Sequence, residues 1–284
     1  MFKNLNLGAL GFKASFFETV ELAKAGGFQG LDIDVFEMGE ILKEKAANDI
    51  KSLMDSKGLR LGGWGLPVNF RGDDKTFQKD LKQLGTLAQT ATSVGCFRVF
   101  TWLTPFSDTL PYEENFKLHA KRLGAVAEVL AEFGCVLGLE FVGPKTSRLN
   151  RKYKFIHTID GIFKLREAMN AENVGLLLDC WHWYTSHGTV DKLQKLRKED
   201  VVYVHVNDAP SGVPVDEQID WKRRLPGETG VIDIAGFLKA LKHIGYDGPV
   251  TPEPFDENLR KNLTNEAVQK VGKALDKVWR QAGI

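Results

Sequence analysis

Short apolar, β-branched runs recur along the chain, each closing on Gly, Pro or a polar residue. Each run is followed by a longer stretch whose apolar positions fall three and four apart. That alternation predicts strand-then-helix units. Strands are expected near residues 4–9 and at 30–35, 59–66, 97–103, 136–142, 174–179, 201–206 and 249–254. Helices are expected at 16–24, 38–56, 73–94, 111–133, 158–169, 190–197, 234–244 and 258–281. In 38–56, Ile41, Leu42, Ile50, Leu53 and Met54 form one apolar stripe, the face that packs on a sheet.

Eight such units run without a Gly/Ser linker or a break in composition. They predict an α/β fold, one closed parallel (β/α)8 TIM barrel occupying residues 1–284 as a single domain. A doubly wound sheet could hold the same elements but usually has fewer strands. Neither GxGxxG nor GxxxxGK[ST] occurs, which removes the usual dinucleotide and nucleotide readings.

Composition narrows the partners. With 38 basic and 37 acidic side chains the net charge is +1, so no field gathers nucleic acid or a membrane surface. Cys96, Cys135 and Cys180 are an odd, widely spaced set without a CxxC pair, so a reducing, cytoplasmic setting is expected. No apolar stretch approaches the roughly 20 residues that would span a bilayer, and the first twelve residues do not read as a signal peptide. A small-molecule substrate is the expected partner, and the chain is compatible with a homo-oligomer.

The chemistry is expected where barrel strands end at their C-terminal face. The fifth strand reaches Glu140, the sixth ends at Asp179, the seventh carries His205 and the eighth carries Glu253. Each interrupts or closes an apolar run, and an unpaired buried carboxylate costs several kcal/mol. Taken singly, a strand-end carboxylate is more often a cap or surface residue, and a lone histidine a core residue. Four on consecutive strands point to one divalent cation. Three oxygens and one nitrogen suit manganese first, with magnesium, cobalt or zinc as alternatives.

Other residues are expected at the same mouth. His182, three residues past Asp179, is placed to meet a substrate oxygen, with a supporting role as the alternative. Trp64, Trp102, Trp181 and Trp183 offer aromatic walls, which suit the C–H faces of a sugar, although plugging the rim explains some of them. Asp208 is expected to orient His205 or meet substrate, and Arg224 to bind an anionic or hydroxyl group. His119, His157 and His243 read as structural.

The segments LEFVGP at Glu140, NVGLLLDCWHW at Asp179 and His182, VHVNDAP at His205, LPGETGVID from Leu225 and GYDGPVTPEPF at Glu253 resemble the xylose isomerase-like superfamily of sugar phosphate isomerases and epimerases. The resemblance spans nearly the whole chain and implies that Glu140, Asp179, His205 and Glu253 are the metal ligands. It implies a divalent-metal-dependent sugar or sugar phosphate isomerase or epimerase working through an enediolate. Glu140 and Glu253 are then expected to act also as paired acid and base, with His182, Trp102, Trp64, Asp208 and Arg224 around the substrate. The alternative is a dehydratase of the inosose or 3-dehydroshikimate type. Where ketose epimerases carry His–Met–Asn after the Asp ligand, this chain has His182, Trp183 and Tyr184, a departure from the free-ketose pattern. The superfamily's abasic-site endonuclease needs further histidines, whereas Trp64 and Trp102 stand on the third and fourth strands here.

Overall fold

The computed structural model describes residues 1–284. Eight parallel strands form an α/β TIM barrel with helices outside it. They are Phe2–Leu5, Gly30–Leu31, a third in two pieces (Arg60–Leu61 and Trp64–Gly65), Arg98–Leu103, Val136–Phe141, Val174–Asp179, Val201–Val206 and Pro249–Pro252. Pairing runs from the third strand through the second, first, eighth, seventh, sixth, fifth and fourth, and so back to the third.

The third strand joins the two ends of that run. Arg60 and Leu61 pair with the second strand, and Trp64 and Gly65 pair with the fourth. Between the pieces, the Gly62 N–H donates to the Leu31 carbonyl at 2.8 Å, and the Gly63 carbonyl accepts from the Ile33 N–H at 3.1 Å. A Cβ on Gly62 would collide with Asn4 Oδ1 and stand 2.6 Å from Asp32 Oδ1. Glycine is therefore needed where this strand crosses the buried Asn4 side chain.

Local chemistry moves several expected boundaries. The helix expected over 38–56 is two helices, Val35–Ile41 and Ala47–Lys57. Asp34 caps the first by accepting from the Phe36 and Glu37 N–H groups, which also ends the second strand early. Asp49 accepts from the Ala46 N–H and starts the second helix. After the sixth strand a short helix, Cys180–Thr185, begins at once because the Asp179 side chain caps it, and the helix expected over 190–197 shrinks to Val190–Leu193. The long helices Asp74–Ser93 and Tyr112–Glu132 lie close to expectation, whereas the last helix, Thr264–Ala282, starts later than expected.

One cluster of 65 buried residues fills the layer between strands and helices. Leu177, Val202 and Tyr203, with Phe100 and Val136 against them, form a second, smaller cluster inside the barrel. No helix is long and apolar enough to cross a membrane.

Gly62→Ala is expected to destabilise the protein by about 1–3 kcal/mol in urea unfolding, because the new methyl overpacks a buried polar contact. Gly39→Ala, whose Cβ would meet only Thr90 at 4.0 Å in a helix, is the control and should be neutral or slightly stabilising.

Candidate metal centre

Successive side chains on a strand point to opposite faces, and register partners in a parallel pair point the same way. Trp102 is the register partner of Glu140, and Asp179 that of His205. Glu253 follows the eighth strand, where its N–H donates to the Val206 carbonyl at 3.1 Å. Two residues earlier on each strand stand Phe100, Gly138, Leu177, Tyr203 and Thr251. The mouth layer is therefore built on a packed floor. It brings ligand-capable atoms of Glu140, Asp179, His205 and Glu253 within 4.8 Å of one another.

Each side chain is held by its neighbours. Asp179 Oδ1 accepts from the Trp181 N–H at 2.8 Å and the Asn207 amide at 3.0 Å, which turns Oδ2 inward. There the fully buried Arg223 donates through Nη1 to Asp179 Oδ2 at 2.7 Å and to Glu253 Oε2 at 3.0 Å. Its Nη2 donates to Asp220 Oδ1 at 2.8 Å, and its plane lies over Trp181 and Phe255 at 5.3 and 4.4 Å from the ring centres. His205 Nδ1 lies 3.2 Å from Glu140 Oε1 and 3.4 Å from Glu253 Oε2. Beneath it, Tyr203 meets the imidazole edge-on at 5.4 Å and donates its hydroxyl proton to Asp32 Oδ2 at 2.5 Å.

His182 stands between two fixed donors. The Gly143 N–H donates to Nδ1 at 3.2 Å, while Nε2 faces the Arg223 Nη2 group at 3.4 Å and Asp179 and Glu140 at 3.8 and 4.0 Å. The approach requires Gly143, since any Cβ there would collide with the His182 carbonyl. Burial pushes His182 down to about 4, so the imidazole is neutral.

Crowding sets the remaining charges. Burial pushes the Glu140 carboxyl up to about 8 against the opposing pull of His205, and burial likewise raises Glu253. Burial alone would raise Asp179, but the Arg223 guanidinium, His182, His205 and the Trp181 N–H together outweigh it and the carboxyl falls below its usual range. His205 is lowered by burial, yet Glu253 and Glu140 together lift it to about 9. Two buried carboxylates and the half-buried Glu253 thus lean on one guanidinium and one imidazole. The donor set, three oxygens and one nitrogen under a shortage of positive charge, fits a divalent cation. Glu140, Asp179, His205 and Glu253 are the residues that would hold it.

A cavity of about 980 Å³ opens above the cluster, lined in part by Glu140, His182, Arg223, Glu253 and Trp102. Several sequence expectations land elsewhere. Trp64 is completely buried, because its register partner is Val99, which faces the helices, and both belong to the main core. Trp183 likewise packs on Phe237, with ring centres 5.4 Å apart. Asp208 meets neither His205 nor the cavity. It accepts from the N–H groups of Ala209, Thr229, Gly230 and Ile232 and so organises the loop after the seventh strand.

Arg224 donates to the Arg223 carbonyl and borders a different depression, so the inward-facing arginine is its neighbour. Arg224 exchanges both backbone hydrogen bonds with Asp208 at 2.8 and 2.9 Å, and that extended bridge sends adjacent side chains to opposite faces. Arg223 and Asp220 were not among the sequence expectations. The doubled arginine in RRLPGETG was the available signal.

Arg223→Met is expected to cost the EDTA-treated protein about 3–5 kcal/mol in urea unfolding, since it strands Asp179 and Glu253 without their buried partner. Arg224→Met should change it by less than about 0.5 kcal/mol. Equal effects would show that Arg223 is not what neutralises the cluster.

Known proteins share this architecture. An inosose isomerase from Bacillus velezensis is 23% identical over 257 residues, covering 89% of this chain and 88% of that one. A 3-dehydroshikimate dehydratase from Pseudomonas aeruginosa is 24% identical over 247 residues, 86% of this chain but 36% of that protein. Among solved structures, a xylose isomerase domain protein from Alicyclobacillus acidocaldarius superposes with a TM-score of 0.87 at 29% identity, covering 99% of both chains. The IolI protein crystallised with a zinc atom superposes with a TM-score of 0.79 at 22% identity, over 98% of both chains. The family model described as xylose isomerase-like TIM barrel matches residues 20–278, and the chain belongs to that family.

Proposed function

We propose that the protein is a divalent-metal-dependent isomerase or epimerase of a sugar-like substrate, working through an enediolate. The observation that carries this reading is the convergence of Glu140, Asp179, His205 and Glu253 at the base of a large cavity. Manganese suits the oxygen-rich donor set, and zinc is the ion in the IolI structure. When bound, the cation polarises adjacent hydroxyl and carbonyl oxygens of the substrate and acidifies the C–H between them.

The chain's own residues supply the rest. Glu140 and Glu253 come from the fifth and eighth strand ends, so they approach a substrate between them from different sides. One carboxylate takes the proton from carbon; a proton returned by the other carboxyl to the opposite face inverts that carbon, and one returned to the neighbouring carbon, with the hydroxyl proton passing between the two substrate oxygens, moves the carbonyl. Burial raises both groups, whereas a bound cation would lower them and acidify the substrate C–H as well, so weak bases suffice. His182 meets a substrate oxygen through Nε2, and Arg223 holds Glu253 and Asp179 in place. Asp220 secures the far side of that guanidinium.

A second reading, a dehydratase that expels a β-hydroxyl from the same enolate, is favoured by the similarity to 3-dehydroshikimate dehydratases. Incubation with manganese in deuterated water, over a panel of ketoses, inososes and 3-dehydroshikimate, separates the two. Deuterium entering a product of unchanged formula identifies an isomerase or epimerase. Loss of water identifies a dehydratase, and no exchange with any of them contradicts both readings. In the active pairing, Glu140→Gln or Glu253→Gln should lower turnover at least about 10²-fold. A Glu140→Gln protein that keeps its metal and near wild-type turnover would rule out the paired-carboxylate step.

Metal content reads the other half of the reading. Asp179→Asn should sharply reduce bound metal in elemental analysis after dialysis. Asp160→Asn, on the helix Ile159–Met169 and facing Lys192 at 3.8 Å, should leave it unchanged. Equal loss, or none, would remove Asp179 from the binding set.

A further inference from the structure

The cavity has two unlike halves. Its inner end carries Glu140, His182, Arg223 and Glu253, and its outer end carries Trp102, Phe106 and Trp221 beside Asn150 and Glu217. Its volume of about 980 Å³ lies at the top of the range of about 300–1,000 Å³ typical of ligand pockets. A single six-membered sugar ring at the inner end would leave most of it empty.

The outer wall is built in advance. Arg71 stacks 4.4 Å from the Trp102 ring centre and 4.2 Å from that of Phe70, which fixes the indole although Trp102 is 49% exposed. Arg151 covers Phe106 at 4.0 Å and is itself tied to Asp108 at 3.1 Å. Phe106 also sits in a small antiparallel pairing with Lys154. Trp221, opposite in chemistry to the charged inner end, is 69% exposed. Ordered aromatic faces flanked by an amide and a carboxylate match a ring with an apolar face and polar edges.

We propose that the outer half is a second subsite, which takes a ring joined glycosidically to the sugar-like unit at the inner end. The substrate class is then a two-ring glycoside rather than a free monosaccharide. This rests on the carbohydrate reading of the inner end given above. The second ring stacks its flat face on Trp221 and Phe106, with Asn150 and Glu217 in reach of its polar edge. A second sugar and an aryl group share that chemistry, so the probes must distinguish them.

Calorimetric titration of the full-length, manganese-treated protein with glucose, cellobiose, maltose and 4-nitrophenyl β-glucoside provides the test. At least one two-ring ligand should bind about tenfold or more tightly than glucose. A gain with the disaccharides identifies a second sugar, and a gain with the nitrophenyl glycoside alone identifies an aryl group. Trp221→Ala, and separately Phe106→Ala, should remove most of that gain while glucose binds within about twofold of wild type. Trp221 is exposed enough that its loss leaves the core intact. If glucose binds and the second ring adds nothing, or if the gain survives both substitutions, the outer subsite is wrong. If none of these ligands binds while the ketose and inosose panel still exchanges, the subsite is wrong; if neither binding nor exchange occurs, the carbohydrate reading itself fails and the subsite falls with it.

Discussion

Three carboxylates crowded into a buried rim are stable only beside positive charge, and the top of this barrel is arranged around that requirement. Arg223 answers it for Asp179 and Glu253, and His205 answers it for Glu140. Each partner depends on further structure. Arg223 reaches inward because Asp208 gathers four backbone N–H groups and fixes the loop that carries it. His205 stands on Tyr203, whose hydroxyl is tied to Asp32 and Thr251 within the barrel. The charge balance at the mouth thus reaches down to the first and second strands.

The same requirement explains the functional reading. A site that already crowds acidic oxygens and one imidazole nitrogen is suited to a hard or borderline divalent cation. Arg223 is the internal competitor for that place, since it bridges two of the four candidate ligands. The proton transfer we propose needs groups on both sides of a carbon, and Glu140 and Glu253 come from the ends of different strands. His182 is kept neutral by burial, and the Gly143 N–H holds its ring in place.

Much of this was legible in the sequence. The sixth and seventh strands match their expected limits at both ends, because continuous apolar runs bounded by Asp179 and by Asn207 admit few other readings. The quartet was legible because a carboxylate or imidazole inside such a run has few bland explanations. Loop geometry was not. Which arginine of the pair turns inward depends on the bridge between Asp208 and Arg224, a contact made over sixteen residues of chain that carry no periodic signal. Trp64 was misplaced because the face it occupies is fixed by pairing with Val99, and pairing register is invisible in an isolated short strand. The split of the third strand at Gly62 and Gly63 likewise answers to Asn4, far away in sequence.

The most direct test of the account is anomalous diffraction from a crystal soaked in manganese, recorded near the manganese absorption edge. The account predicts one strong peak bounded by Glu140, Asp179, His205 and Glu253, with Arg223 withdrawn from at least one of its two carboxylates. A crystal that takes up manganese only elsewhere, with Arg223 still bridging Asp179 and Glu253, would contradict it.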